Sequence, residues 1–190
     1  VRPVSPTVRQ QIAKEVQDQR DAGIIEPSAS PYASTVLLVP KSDGSVRFCI
    51  NYKPLNAITK RDGYLMPRVD DSLAVLKNSN YFSSLDLASA YWQIPMDEDS
   101  KDLTSFITPD GIWRYNRMPF GLINGPAIFS RFIDSVMAGL KWTVCLVYMD
   151  DLLVHTSTID EHIAALESIF ERIDAHGLRF KARGWVASCL

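Results

Sequence analysis

The sequence predicts an α+β fold: a split βαβ, ferredoxin-like antiparallel sheet backed by helices. Three observations lead there. Short apolar runs are paired around turn residues, as in 34–50 and 104–118, which is the pattern of β-hairpins. Stretches with helix start and stop signals stand between the pairs. The order through the second half is strand, hairpin, helix, hairpin, helix.

Taken in order, residues 5–22 read as a helix, with Ser5 placed to cap it, Pro6 at its first position and Gly23 to end it. "EPSASPYAS" (26–34) is a Pro/Ser-rich connector. "STVLLVP" (34–40) and "VRFCI" (46–50) are strands around an Asp-Gly turn. Residues 68–77 suggest a short helix, and 81–88 a strand leading into a turn. Residues 104–118 form a second hairpin, again with Asp-Gly at its tip, and 125–139 a helix. "WTVCLVY" and "DLLVHT" then flank Asp150 as two strands. Thr158 and Glu161 have the spacing of a capping box. The helix that they open carries Ile159, Ile163, Leu166, Ile169, Phe170 and Ile173 at the spacing of one buried face. His162 and His176 are expected at its surface, and Gly177 at its C-cap. There is no internal repeat and no low-complexity tract.

The bulk numbers set limits on these readings. With 190 residues, 46% apolar and 22% charged, the chain has the composition of a soluble globular protein of one or two small domains. No apolar run approaches the ~18–20 residues of a membrane span, so no membrane partner is expected. The N-terminus lacks a hydrophobic signal core. Without an initiator Met, the chain looks like a segment of something longer. Cys49, Cys145 and Cys189 are odd in number and widely spaced, which suggests neither a disulfide framework nor a zinc ribbon. A net charge of −2 argues mildly against a nucleic-acid partner. Its distribution is uneven: residues 38–70 hold six basic side chains against three acidic ones, which can build a local anion site, the alternative being a solvated mixed surface.

"LVYMDDLLVH" places Asp150 and Asp151 side by side inside an apolar run, where burying an unpaired charge is costly. Strand alternation breaks at a turn, so both carboxylates can converge on one spot. Like charges that close would drive a proton onto one of them, and a divalent cation removes the conflict. Magnesium takes oxygen ligands, often a few carboxylates plus substrate phosphates. Asp86 ends another apolar strand, in "FSSLDLASAY". If that strand lies beside the 142–155 hairpin, Asp86 faces Asp150. Three carboxylates on adjacent strand ends would hold two magnesium ions about 3.5–4 Å apart, the geometry of two-metal phosphoryl transfer. The plain alternative is an Asp-Asp turn facing water.

The string "YMDD" (148–151), with "LDLASAYWQIPM", "RMPFGLINGPAIF" (117–129) and "VPKSDGSVRFCINYKPLN", resembles the reverse transcriptase family, and most closely gypsy-type LTR retrotransposon polymerases. The similarity runs from about residue 1 to about residue 182. It implies the fingers and palm of an RNA-directed DNA polymerase: 1–61 and 95–124 as fingers, 62–94 and 125–190 as palm, without a thumb. By this resemblance Asp86, Asp150 and Asp151 are the catalytic metal-binding carboxylates, and the Leu87 carbonyl is a further metal contact. The ions would be two Mg2+, or Mn2+. Lys41 and Arg47 would close over the incoming triphosphate. Tyr91 would exclude a ribose 2′-hydroxyl, beside Phe120. Gly121 and Pro126 would shape the backbone there. Tyr148 and Met149 would lie at the primer terminus. The implied partners are an RNA or DNA template, a DNA or tRNA primer and deoxynucleoside triphosphates, within a Pol polyprotein that also carries a thumb and RNase H.

Some positions depart from the family's pattern. Asn51 stands where Asp is usual, Lys53 where Arg is usual, and Leu103 where a lysine is usual. Gly184-Trp185 replaces a Lys-Cys pair, so Lys181 or Arg183 is the available stand-in for that lysine. Two further readings stay open. One is a catalytically inactive retroelement remnant. The other is a nucleic-acid-binding module without polymerase chemistry, since a split βαβ sheet also serves RNA-binding domains through exposed sheet aromatics. Phe82 and Trp142, the strand aromatics in question, are expected to be buried.

Overall fold

In the computed structural model the described residues are 5–40, 46–64, 69–149, 151–181 and 186–189. In chain order the elements are α1 (Pro6–Asp21), β1 (Ile25–Pro27), β2 (Ser34–Pro40), β3 (Val46–Ile50), α2 (Lys53–Ile58), α3 (Val69–Leu76), β4 (Tyr81–Asp86), α4 (Glu98–Lys101), β5 (Phe106–Thr108), β6 (Gly111–Tyr115), α5 (Gly125–Val136), β7 (Cys145–Tyr148), β8 (Asp151–Thr156), α6 (Ile159–Ala175) and β9 (Val186–Cys189). The α+β class is as the sequence predicts. The chain divides into two units: Val1–Arg61 with Tyr91–Gly125, and Asp62–Ala90 with Pro126–Leu190.

The first unit holds a five-stranded sheet in the order β1-β6-β5-β2-β3. β2 and β3 pair antiparallel, as the hairpin pattern predicts, and β2 runs parallel to β5. Ser5 caps α1 by accepting from the Val8 amide at 3.4 Å, and Gly23 leaves the helix at φ 68°, a conformation that only glycine adopts at little cost. The apolar side of α1, Ile12 and Val16, is buried with Ile25, Phe106 and Tyr115. Two short elements lack a strong sequence signal. β1 is three residues long and ends in Pro27, yet it pairs with β6. α2 has no side-chain cap. The second hairpin turns on Pro109 and Asp110, with Gly111 already paired to Thr108.

The second unit holds a four-stranded sheet in the order β7-β8-β4-β9, antiparallel throughout. Leu85, Leu152 and Val154 are buried in it, as are Phe129 and Ile133 of α5. α6 begins with the predicted capping box, Thr158 accepting from the Glu161 amide and Glu161 from the Thr158 amide. Gly177 follows it at φ 67°.

Three expectations are corrected here. The buried side of α6 is His162, Ala165, Ile169 and Ile173, while Ile159 and Ile163 are exposed. His162 is therefore an interior residue, made tolerable by hydroxyls of the sheet: Ser83 Oγ lies 2.8 Å from Nε2 and Thr156 Oγ1 lies 3.0 Å from Nδ1. Trp142 is not a buried strand position. It sits in a turn at φ 70°, its amide bonded to the Cys145 carbonyl at 2.8 Å, and its exposed ring lies against the Lys141 ammonium. Phe82 is half-buried. Cys49 and Cys145 are free thiols, and burial pushes the Cys145 thiol up to about 11.

Candidate active site

The second unit brings two of the predicted acids together. β4 runs antiparallel to β8 in a register that pairs Leu85 with Leu152 and ends with Asp86 opposite Asp151. Directly opposed residues of an antiparallel pair project to the same face, so both carboxylates leave the sheet on one side. In this register the acid directly across from Asp86 is Asp151, and the expectation that Asp86 faces Asp150 falls on a residue outside the described ones. β7 and β8 close on the pair Tyr148–Asp151, and Met149 follows β7 in the connecting loop. Asp150 itself lies outside the described residues, as does Lys41.

The loop carries backbone strain. Met149 has φ 55°, the left-handed region, which costs a residue with a Cβ roughly 1–2 kcal/mol. Two-residue hairpin loops favour this conformation because it matches strand twist. Strain of this kind gathers at functional sites. Tyr148 and Met149 are both substantially exposed. Leu87, one residue beyond Asp86, is buried.

Asp86 is treated unequally at its two oxygens. Oδ2 accepts from the Lys181 ammonium. Oδ1 is buried and has no hydrogen-bond partner among the described residues. A buried carboxylate oxygen left so is costly unless something satisfies it. A hard cation held by oxygen ligands is a chemical fit for that atom and for the Asp151 carboxylate beside it. Asp86 and Asp151 are thus the described residues that could hold a metal. Among the described residues no cluster of three His, Cys, Asp or Glu side chains forms.

Lys181, one of the two residues available as a stand-in for the family lysine, is the one the described residues place at Asp86. It reaches Asp86 because residues 179–181 run along the end of β4. The Ala88 amide donates to the Arg179 carbonyl at 2.9 Å, Leu87 bridges Phe180, and the Lys181 amide donates to the Asp86 carbonyl at 2.8 Å.

The first unit assembles the aromatic part of the prediction. Tyr91 lies in a single helical turn, Ala90–Gln93, and its ring centroid is 5.0 Å from that of Phe120. Trp92 meets Phe120 edge-on at 5.9 Å. Phe120 is nonetheless 49% exposed, so one side of its ring is open. The loop after it is fixed from α2. Asn56 Nδ2 donates to the Gly121 carbonyl at 2.8 Å, and its Oδ1 accepts from the Ile123 amide at 2.9 Å. Gly121 has φ 93°, a backbone conformation that favours glycine. Arg47 is exposed on β3, opposite Val39.

Residues 39–183 match the family described as reverse transcriptase (RNA-dependent DNA polymerase). The chain is 36% identical over 184 residues to the retrovirus-related Pol polyprotein from transposon 297 of Drosophila melanogaster, covering 94% of this chain and 17% of that protein. It is 34% identical over 178 residues to the enzymatic polyprotein of cauliflower mosaic virus (strain Strasbourg), covering 92% of this chain and 26% of the relative. The chain therefore spans about a sixth to a quarter of the length of these relatives. In fold it is similar to the foamy viral protease-reverse transcriptase solved in complex with RNA/DNA hybrid, with a TM-score of 0.83 and 23% identity, over 98% of this chain and 24% of that one.

Proposed function

Since the chain belongs to the reverse transcriptase (RNA-dependent DNA polymerase) family, we propose that it is the polymerase portion of a retroelement Pol polyprotein, synthesising DNA on an RNA or DNA template. The observation that carries this reading is the pairing of Asp86 with Asp151 at adjoining strand ends, with Asp86 Oδ1 buried and unsatisfied among the described residues. The block order of the sequence motifs further supports a gypsy-type LTR element. We assign 1–61 and 95–124 to fingers, and 62–94 and 125–190 to palm.

In this reading Asp86, Asp150 and Asp151, with the Leu87 carbonyl, hold two Mg2+ or Mn2+ ions. When bound, such ions lower the cost of the attacking 3′-hydroxylate and offset charge on the triphosphate and leaving pyrophosphate. The chain's own residues bind and orient the reactants. Lys41 and Arg47 contact the triphosphate oxygens by charge-assisted hydrogen bonds. The Tyr91 ring, backed by Phe120, excludes a 2′-hydroxyl and so selects deoxynucleotides. Tyr148 and Met149 contact the primer end, and the strained Met149 backbone holds the loop in one geometry. Duplex affinity rests on phosphate contacts, to which thumb and RNase H segments of a full polyprotein would add. An RNA/DNA hybrid, the partner of the foamy viral enzyme of like fold, is the class of ligand expected.

The test is extension of a DNA primer on an RNA template by the chain fused to a thumb, with Mg2+. Template-directed extension that disappears in the Asp86→Asn, Asp150→Asn, Asp151→Asn triple variant supports the reading. A folded fusion that extends nothing overturns it.

A further inference from the structure

Asp86 and Asp151 put two negative charges in direct cross-strand register, which is unfavourable unless a cation lies near. The described structure supplies one from the chain itself, the Lys181 ammonium on Asp86 Oδ2. Two features distinguish this contact from an incidental surface ion pair. The backbone of Lys181 is held independently, by its amide on the Asp86 carbonyl at 2.8 Å and by the adjoining bridge from Leu87 to Phe180. Phe180 is itself anchored by an edge-on contact with Phe170 of α6 at 5.7 Å. Withdrawal of the ammonium therefore leaves the backbone in place. The Lys181 side chain is also 48% exposed, so its flexible stem can carry the ammonium away from Oδ2 toward water. One oxygen of Asp86 is thus taken by a cation that can leave, and the other is buried and without a hydrogen-bond partner among the described residues.

We propose that Lys181 is the resident counter-cation of Asp86, holding the carboxylate in place without metal and withdrawing when a divalent ion binds, so that Lys181 sets the metal affinity of the site. The inference rests on the assignment of Asp86 and Asp151 as metal-binding carboxylates. Lys181 acts through Asp86 and is a positioning residue. A divalent ion brings two positive charges to Oδ2 where the ammonium brings one, so exchange is favourable once the ion is present. Keeping Lys181 in the metal-free state lowers repulsion between the acids but makes the ion compete for Oδ2.

The experiment is titration of the 190-residue chain with Mn2+, followed by calorimetry and by the loss of the free-ion paramagnetic resonance signal. Lys181→Met is expected to bind Mn2+ about five-fold more tightly than the unaltered chain, the scale of one partly exposed ion pair. Lys181→Arg, which keeps the charge, is expected to restore the original affinity. In EDTA, Lys181→Met should melt below the unaltered chain, and saturating Mn2+ should close the gap. Lys181→Gln makes the same comparison if the Met variant does not fold. On the unaltered chain, 13C-dimethylated lysines offer an independent readout. The resonance missing from Lys181→Arg should move to the position of exposed lysines when Mg2+ is added. Affinity within about two-fold of the original in both neutral variants, with binding lost in Asp86→Asn, overturns the role of Lys181 and leaves the metal site standing. Absence of Mn2+ binding in every protein overturns the metal assignment and this inference together.

Discussion

Asp86 and Asp151 are the last cross-strand partners of β4 and β8, so the two carboxylates are positioned by sheet register and not by loop conformation. A register of this kind is set by the buried alternation of Leu85, Leu152 and Val154, because a slip of one residue would turn that apolar set outward. Replacing either acid by its amide should therefore leave the fold intact and remove the charge proposed to hold metal. We expect Asp86→Asn and Asp151→Asn each to lower primer extension by roughly 10³-fold, with circular dichroism unchanged. Retention of more than a tenth of the activity in either would remove that acid from the site.

Much of this geometry is legible in the sequence, and the parts that are not have identifiable causes. The apolar runs around Asp86 and Asp151 announce strands, and the capping box of Thr158 and Glu161 announces α6. That Asp151 stands directly across from Asp86 depends on where β7 and β8 close, at Tyr148–Asp151, and local pattern does not fix that. The approach of Lys181 to Asp86 spans 95 positions and depends on an irregular pairing beyond β4. The buried side of α6 differs from the one its apolar pattern favours, because Ile159 and Ile163 are exposed. His162 enters the interior instead because Ser83 and Thr156, on two other strands, supply its hydrogen bonds.

Replacing Tyr91 tests the sugar-selecting role. The Tyr91 and Phe120 rings are 5.0 Å apart, a distance at which each restricts the other. Tyr91→Ala should raise incorporation of ribonucleotides relative to deoxynucleotides by about 10- to 100-fold, the range available to one steric contact. Phe120→Ala should give a smaller change of the same sign, since it frees the Tyr91 ring without removing it. Single-nucleotide insertion kinetics with matched ribo- and deoxynucleotides decide the matter. An unchanged sugar preference in Tyr91→Ala would exclude the role.

The His162 network predicts a dependence of stability on pH. Thr156 Oγ1 donates to the Thr158 carbonyl at 3.0 Å, so it can only accept from His162 Nδ1–H. His162 Nε2 is then the acceptor for the Ser83 hydroxyl, and the ring is satisfied in its neutral form. Burial holds the His162 pKa below the ordinary 6.5. His155 is lowered as well, by burial first and by His162 second. The unfolded chain therefore takes up these protons at higher pH than the folded chain does. The contribution is fully present above about pH 6.5 and is lost as pH falls toward the depressed folded-state values. Melting temperature should be level from pH 7.5 to 6.5 and decline below. His162→Gln, which stays neutral, should make that decline shallower, and an equally steep decline would show that the ring is not held neutral.

The last prediction concerns the loop that carries Phe120. Gly121 sits at φ 93°, where an added Cβ meets no backbone closer than the Ile50 carbonyl at 3.9 Å. Space is therefore not the constraint, and conformation is. Gly121→Ala should cost about 1–2 kcal/mol through the left-handed backbone alone. Asn56→Ala removes the donor to the Gly121 carbonyl and the acceptor for the Ile123 amide, at about 1 kcal/mol for each bond lost. Both changes act on one loop, so their effects should combine to less than their sum. Urea unfolding of the two single variants and the double variant measures this coupling. Each single variant should also raise KM for deoxynucleotides with little change in primer affinity, because the loop positions Phe120 against Tyr91. Strict additivity with unaltered KM would mean that Asn56 and Gly121 serve stability separately and that the loop does not shape the nucleotide pocket.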